Sequence, residues 1–248
     1  MDRVGYEEAQ KVSYFQIDGK REMSPAALLA SLQEVAVAHA DSLGYTLEYL
    51  AERQWGWSVV NWHLQMRRLP HHGETIQIQT WCDKCLRFQA ERSFYILDAE
   101  GNRLLEGASR WIFMDFNRRR PTNIPKDMVE SYCERQEPAI ADEKFFMPKE
   151  AEGELLSARE FTVTRRDTDT NGHANNVKYL EWVMDDVPDE IYDGMTLKDV
   201  RMVYRKECMR GDTVQVKTYV KDTENGKEVQ TFLFEGDKVM AEAATLWQ

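Results

Sequence analysis

The chain repeats itself. Residues 73–80 read GETIQIQT and residues 211–218 read GDTVQVKT, four identities in eight positions at an offset of 138 residues. Apolar and polar residues alternating with period two mark a strand with one buried face, so one strand is seen twice. At the same offset Arg67 and Arg68 stand opposite Arg205 and Lys206, which carries the match into the preceding strand. A unit present twice in 248 residues narrows the architecture to two similar units fused in one chain.

Each copy opens alike. YFQI (residues 14–17) reads as a strand, and Ser24-Pro25 then offers an N-cap followed by proline at the first helical position. The following helix carries Leu28, Leu29, Leu32, Val35, Ala36 and His39 on one stripe, with Gly44 as its stop. In the second copy FTVT (161–164) reads as the strand, and a shorter helix starts near Asn175 or Asn176 with Val177, Leu180, Val183 and Met184 on its apolar side. Alternating strands follow: 57–66, 75–81, 88–97 and 104–116, then 200–204, 213–220, 228–234 and 238–247. A helix with one apolar stripe and an antiparallel sheet with one apolar face bury each other, which is an α+β unit. The expected division is an N-terminal unit 1–120, a polar connector 121–157 with four prolines laid over the surface, and a C-terminal unit 158–248.

Composition excludes several functions. With 43 acidic against 32 basic side chains and a formal charge of -11, the chain lacks the broad cationic face that a nucleic-acid binder needs. No run of 18 apolar residues is present, and MDRVGYEEAQ has no signal-peptide core, so a cytoplasmic protein without membrane insertion is expected. Four cysteines give no disulfide framework. Cys82 and Cys85 form a CxxC but have no second pair, and Cys82 ends a strand pattern, which disfavours a metal or redox role. No cofactor and no metal are expected.

The chemistry is expected between the second strand and helix. Residues 167–176 read DTDTNGHANN, whereas the first copy has only DGKREMSP (18–25) there. The polar excess lies at a helix N-terminus, where backbone N–H groups and the helix dipole stabilise negative charge. Calcium is a poor fit: Asp167, Asp169, Asn171 and Gly172 match the start of an EF-hand loop, but its bidentate Glu position is Lys178. An Asx-rich turn that merely caps the helix accounts for the Asp and Asn residues alone. His173, with Asp169 and Asn171 nearby, adds a group that can be oriented by one neighbour while exchanging a proton with another. In the repeat alignment Glu207 and Cys208 replace Leu69 and Pro70, so a carboxylate and a thiol appear in the same copy as the histidine. Taken singly, they are an exposed Glu and a buried inert Cys; taken with the loop, Glu207 is the candidate base.

DTDTNGHANNVKYLEW followed by MVYRKEC closely resembles the signature of the fatty acyl-acyl carrier protein thioesterases of plant plastids and their bacterial relatives. WGWSVVNWHLQM and RWIFMDFNRRRPTNIP in the first half are similar to the same family. The resemblance implies a tandem hotdog, each sheet wrapping a central helix, that hydrolyses the thioester between a fatty acid and the phosphopantetheine arm of acyl carrier protein. It puts the catalytic Asp, Asn and His on Asp169, Asn171 and His173, and the Glu and Cys on Glu207 and Cys208. A water activated by Glu207 or Asp169 is the preferred attack, with a covalent route through Asp169 or Cys208 left open. The first unit is expected to hold the acyl chain, with Trp57, Val59, Asn61 and His63 on one face of their strand. Ordinary core packing is the alternative for these four. His39, His63, His71 and His72 have no carboxylate cluster near them in sequence. An acidic carrier on an acidic enzyme calls for a local cationic patch, with Arg118, Arg119, Arg120, Arg165, Arg166, Arg205, Lys206 and Arg210 as candidates against a merely solvated face. A homodimer is a further expectation. Hydrolysis of acyl-coenzyme A, and a hotdog that only binds acyl thioesters, are the alternative functions.

Overall fold

A computed structural model describes residues 5–132, 137–141, 147, 151–169 and 172–248. The chain divides into two compact units, Met1–Val60 with Leu69–Glu143, and Asn61–Arg68 with Lys144–Gln248.

The first unit holds β1 (Tyr6–Lys11), α1 (Pro25–Ser42), α2 (Leu47–Glu52), the start of β2 (Trp55–Met66), β3 (Thr75–Leu86), β4 (Gln89–Leu97), β5 (Arg103–Asp115), β6 (Arg120–Pro121) and α3 (Lys126–Tyr132). Strands β1, β3, β4 and β5 pair antiparallel in that order, and β6 pairs with β5. The Ser24 hydroxyl accepts the Ala27 N–H at 3.2 Å and Pro25 is the first helical residue, so α1 begins where its cap predicts. Its buried stripe, Leu28, Leu29, Leu32, Val35, Ala36 and His39, lies against β1 and β3. Each buried leucine contributes about 2 kcal/mol, more than any cap, so packing holds this helix.

YFQI is not a strand. Tyr14–Gln16 is one turn of 3₁₀ helix, closed by the Ser13 N–H donating to Gln16 Oε1 at 2.9 Å, and the strand is β1, upstream. Tyr14 and Phe15 are 72% and 95% exposed, so the alternation there does not report burial. The stretch expected as a connector holds α3, whose Met128 and Tyr132 are buried with Phe113 and Cys82. Beyond it, Glu137 O accepts the Trp81 Nε1–H at 3.1 Å and the Ala139 N–H bonds Ser93 Oγ at 2.9 Å.

The second unit holds β7 (Glu154–Thr162), α4 (Asn176–Met184), α5 (Asp189–Gly194), β8 (Leu197–Tyr204), β9 (Thr213–Thr223), β10 (Gly226–Glu235) and β11 (Lys238–Trp247). Its antiparallel order is β7, β9, β10, β11, β8, and residues 61–65 of β2 pair with β8. Helix α4 spans nine residues, half the length of α1, and lies against β11 with Tyr179, Leu180, Trp182 and Val183 buried. The expected FTVT strand is only the end of β7, since Val163 and Thr164 already lie beyond it. Among the described residues no helix is long and apolar enough to cross a membrane.

Candidate active site

In the second unit the chain leaves β7 through a 3₁₀ turn at Arg165–Asp167, where the Asp167 carboxylate accepts the Thr164 N–H at 2.7 Å. It then doubles back. Thr168 bridges Ala174, the Asp169 N–H bonds His173 O at 2.8 Å, and Asp169 Oδ1 accepts the His173 N–H at 3.2 Å. Gly172 turns the chain at φ 81°, and the Asn175 side chain caps α4 by accepting the Val177 N–H at 3.0 Å. The return limb is pinned to the segment after β8: His173 bridges Met209, and the Ala174 N–H bonds Cys208 O at 2.8 Å.

The first unit makes the same bonds. The Asp18 N–H bonds Glu22 O at 2.9 Å, the Met23 N–H bonds Pro70 O at 2.7 Å, and Glu22 bridges His71. Arg21 takes the left-handed turn, φ 62°, where the second unit has Gly172. Ser24 and Asn175, the two N-caps, are 151 residues apart, and so are Asp18 and Asp169. The loops therefore have equal length, and the expected polar excess of the second loop is a replacement of side chains, not an addition of residues. Asp169 has a counterpart in Asp18, and both carboxylates accept backbone N–H groups within their own loop. Asn171 lies outside the described residues.

What the first unit lacks is the pair His173 and Glu207, at whose positions it has Glu22 and Leu69. His173 Nδ1 lies 3.3 Å from Glu207 Oε2, with the side chains 30% and 59% exposed. Water reaches both groups, so the contact orients the imidazole more than it stabilises the fold. Cys208, next in the chain, is fully buried, and its thiol is pushed up to about 11 chiefly by burial, despite the Tyr179 hydroxyl beside it. At neutral pH about one such thiol in ten thousand is ionised. Its backbone does the visible work: the N–H donates to the Tyr179 hydroxyl at 2.7 Å and the carbonyl holds Ala174. Tyr179 sits on the buried side of α4, and nothing in the sequence pattern separates it from ordinary core.

The other candidates are scattered. Trp57 packs in the first unit against Phe113 and Tyr132, with ring centroids 4.9 and 6.4 Å apart, and Val59 is buried. In the second unit Asn61 is buried with its Oδ1 unpaired. His63 does have a carboxylate: pairing of β2 with β8 brings Asp199 Oδ2 to 2.7 Å from its Nε2, a partner 136 residues away that sequence proximity cannot reveal. His39 is buried in the first unit with Nδ1 3.0 Å from Arg92 Nη1, and burial followed by that guanidinium holds it down at about 3. Of the cations, Arg205 grips Glu242 through two bonds and Arg118 lies 3.7 Å from Asp115. Arg119 sits in a turn at φ 51° and Arg120 in β6. Arg165, Arg166, Lys206 and Arg210 are exposed with no ion pair among the described residues. Arg165, Arg166 and Arg210 line one open groove with Thr162–Thr164 and Gly211.

Comparison with known proteins gives these units a lineage. Residues 3–132 match the family model of the acyl-ACP thioesterase N-terminal domain, and residues 150–248 match that of the C-terminal domain. An oleoyl-acyl carrier protein thioesterase of Arabidopsis thaliana is 27% identical over 233 residues, covering 88% of this chain and 64% of that protein. A palmitoyl-acyl carrier protein thioesterase of Cuphea hookeriana is 28% identical over 229 residues, covering 88% and 55%. The chain thus spans less than two thirds of the length of these curated relatives. The solved structure of a 12:0-ACP thioesterase from Umbellularia californica superposes with a TM-score of 0.86 at 24% identity, over 98% of this chain and 96% of that one. That likeness gives the fold, a double hotdog of the α+β class. With each half matched by its own domain and the fold shared along nearly the whole length, the chain belongs to the acyl-ACP thioesterase family.

Proposed function

We propose that the protein hydrolyses the thioester of fatty acyl-acyl carrier protein, releasing free fatty acid and so ending chain elongation. The observation that carries this is the His173 to Glu207 contact of 3.3 Å, on a loop whose twin in the first unit shares its backbone hydrogen bonds among the described residues and has neither side chain. Glu207 takes a proton from water, and the resulting hydroxide attacks the acyl carbon. The tetrahedral intermediate expels the pantetheine thiolate, which recovers a proton from the His173 and Glu207 pair. Within the helix start, the N–H groups of Ala174, Asn175, Val177 and Lys178 are bonded, and in this reading the Asn176 N–H serves the developing oxyanion. Asp169 shapes the loop and presents His173, while Asn171, by its family position, orients the water. Cys208, buried and protonated, is not the nucleophile in this reading.

The first unit, without the pair, holds the acyl chain, and Trp57 and Val59 are its proposed lining, with Asn61 and His63 further along β2. Arg165, Arg166, Lys206 and Arg210 are the cations available to an acidic carrier, whereas Arg205 and Arg118 are already engaged. A cytoplasmic setting fits three described cysteines that are all free thiols. A homodimer belongs to the same reading and is checked by sedimentation.

Free-thiol release from acyl-acyl carrier protein and from acyl-coenzyme A tests the proposal. Faster release from the carrier substrate is expected. No release from either overturns hydrolysis, and equal rates overturn the carrier preference.

A further inference from the structure

Cys82 and Cys85 stand three apart in β3, and in a regular strand residues three apart point to opposite faces. Here they do not. The register of β3 against β4 shifts between Cys82 and Lys84: Cys82 pairs with Arg92, Lys84 with Glu91 and Cys85 with Ala90, leaving Asp83 as the extra residue of a bulge. Arg92 and Ala90 are two apart on β4 and share a face, so the bulge puts both cysteines on that face as neighbours. Their Sγ atoms lie 3.2 Å apart. The bulge is fastened on both sides, with the Ser93 hydroxyl donating to Asp83 Oδ1 at 3.2 Å and Lys84 3.8 Å from Glu91. Cys82 is buried and Cys85 half-buried, both within the aromatic cluster of Phe113, Tyr132 and Trp57.

We propose that Cys82 and Cys85 are a reversible dithiol and disulfide couple, exchanging with low-molecular-weight disulfides of the glutathione class. A disulfide needs its sulfurs about 2.05 Å apart, so closure asks for an approach of little over an ångström. Cys85, the accessible thiol, attacks the small disulfide as its thiolate, forms a mixed disulfide and releases one small thiol. Cys82 then loses its proton, attacks Cys85 Sγ and releases the second. Two protein thiols give up two electrons and two protons, and one small disulfide becomes two thiols. Only two residues lie between the cysteines, so the closed ring constrains the unfolded chain little, and the bond is a responsive element rather than a staple. Among the described residues no third histidine, cysteine or carboxylate completes a set able to hold a metal ion.

The test equilibrates the full-length protein in glutathione buffers stepped from fully reduced to fully oxidised, then quenches, alkylates and maps peptides by mass. The expected result is a peptide containing Cys82 and Cys85 that passes from doubly alkylated to unalkylated and two hydrogens lighter, and returns on reduction. Both cysteines still alkylated in the most oxidising buffer would overturn the couple, as would glutathione resting on Cys85 while Cys82 stays alkylated. Cys82→Ser should arrest at the glutathione adduct on Cys85. An unmodified Cys85 in that variant would refute it as the attacking thiol.

Discussion

Among the described residues, the two loops, 13–24 and 164–175, share their backbone hydrogen bonds and carry different side chains. Each has a 3₁₀ turn closed by a side chain three residues on, an aspartate folded back on backbone N–H groups, a left-handed turn residue and an N-cap at its end. The shared skeleton separates what the two loops have in common from what only one of them carries. Asp169, conspicuous in sequence, has a counterpart in Asp18, which likewise accepts backbone N–H groups within its loop. His173 and Glu207 have no such counterpart, since Glu22 and Leu69 stand at their positions. A polar cluster is thus best read by subtracting what its twin also has.

The strongest way to break this comparison is to remove the pair. His173→Ala and Glu207→Ala should each lower kcat for carrier-substrate thiol release by at least about 10²-fold, while Glu22→Ala, at the matching position of the first loop, leaves kcat within about twofold. A comparable loss from Glu22→Ala would dissolve the distinction between the units.

The helices invite a second test, since α1 runs long enough to bury His39 in its last turn and α4 stops after nine residues. His39 is held neutral in the fold, at about 3 against 6.5, so below pH 6.5 the unfolded chain binds the extra proton. The His39 contribution to stability should be constant above that pH and fall by at most about 1.4 kcal/mol for each unit between 6.5 and 3. Denaturant unfolding across that range, compared with His39→Gln, should show the slope shrinking in the variant.

Smaller again, Asp18→Ala and Asp169→Ala should each destabilise by about 1 kcal/mol, through loss of bonds to their loop backbones. Unequal values in denaturant melts would mean that the loops are less alike than their bonds suggest. The smallest effect on rate belongs to Cys208→Ser, expected to keep kcat within about tenfold of wild type, because the buried thiol is protonated at neutral pH. A variant as inactive as His173→Ala would make the thiol the nucleophile.

Much of this was legible in the residues. The repeat was readable because β3 and β9 begin with the same alternation, and the start of α1 because Ser24 and Pro25 mark it. The equality of the loops was hidden because the offset between units changes from 138 residues at β3 and β9 to 151 at the N-caps, as the shorter α4 removes residues between them. A walk at constant offset loses register there. YFQI has a strand's alternation, yet Gln16 spends its side chain on Ser13 and closes a turn. The CxxC reads as two opposed side chains until the bulge at Asp83 is known, and Asp199 reaches His63 only through pairing of distant strands. Local pattern carries propensity and capping, but not bulges or long-range partners.

Strand β2 belongs to both compact units, with Val60 in one and Asn61 in the other. The two halves therefore cannot be separated as pieces of chain. A fragment cut anywhere between residues 132 and 150, where the family's two domains part, would carry β8 without the residues 61–65 that pair with it. It would leave a row of unpaired N–H and C=O groups on an edge prone to self-association. The two units resemble one another in sequence, yet during synthesis the second is completed only by a strand made long before it.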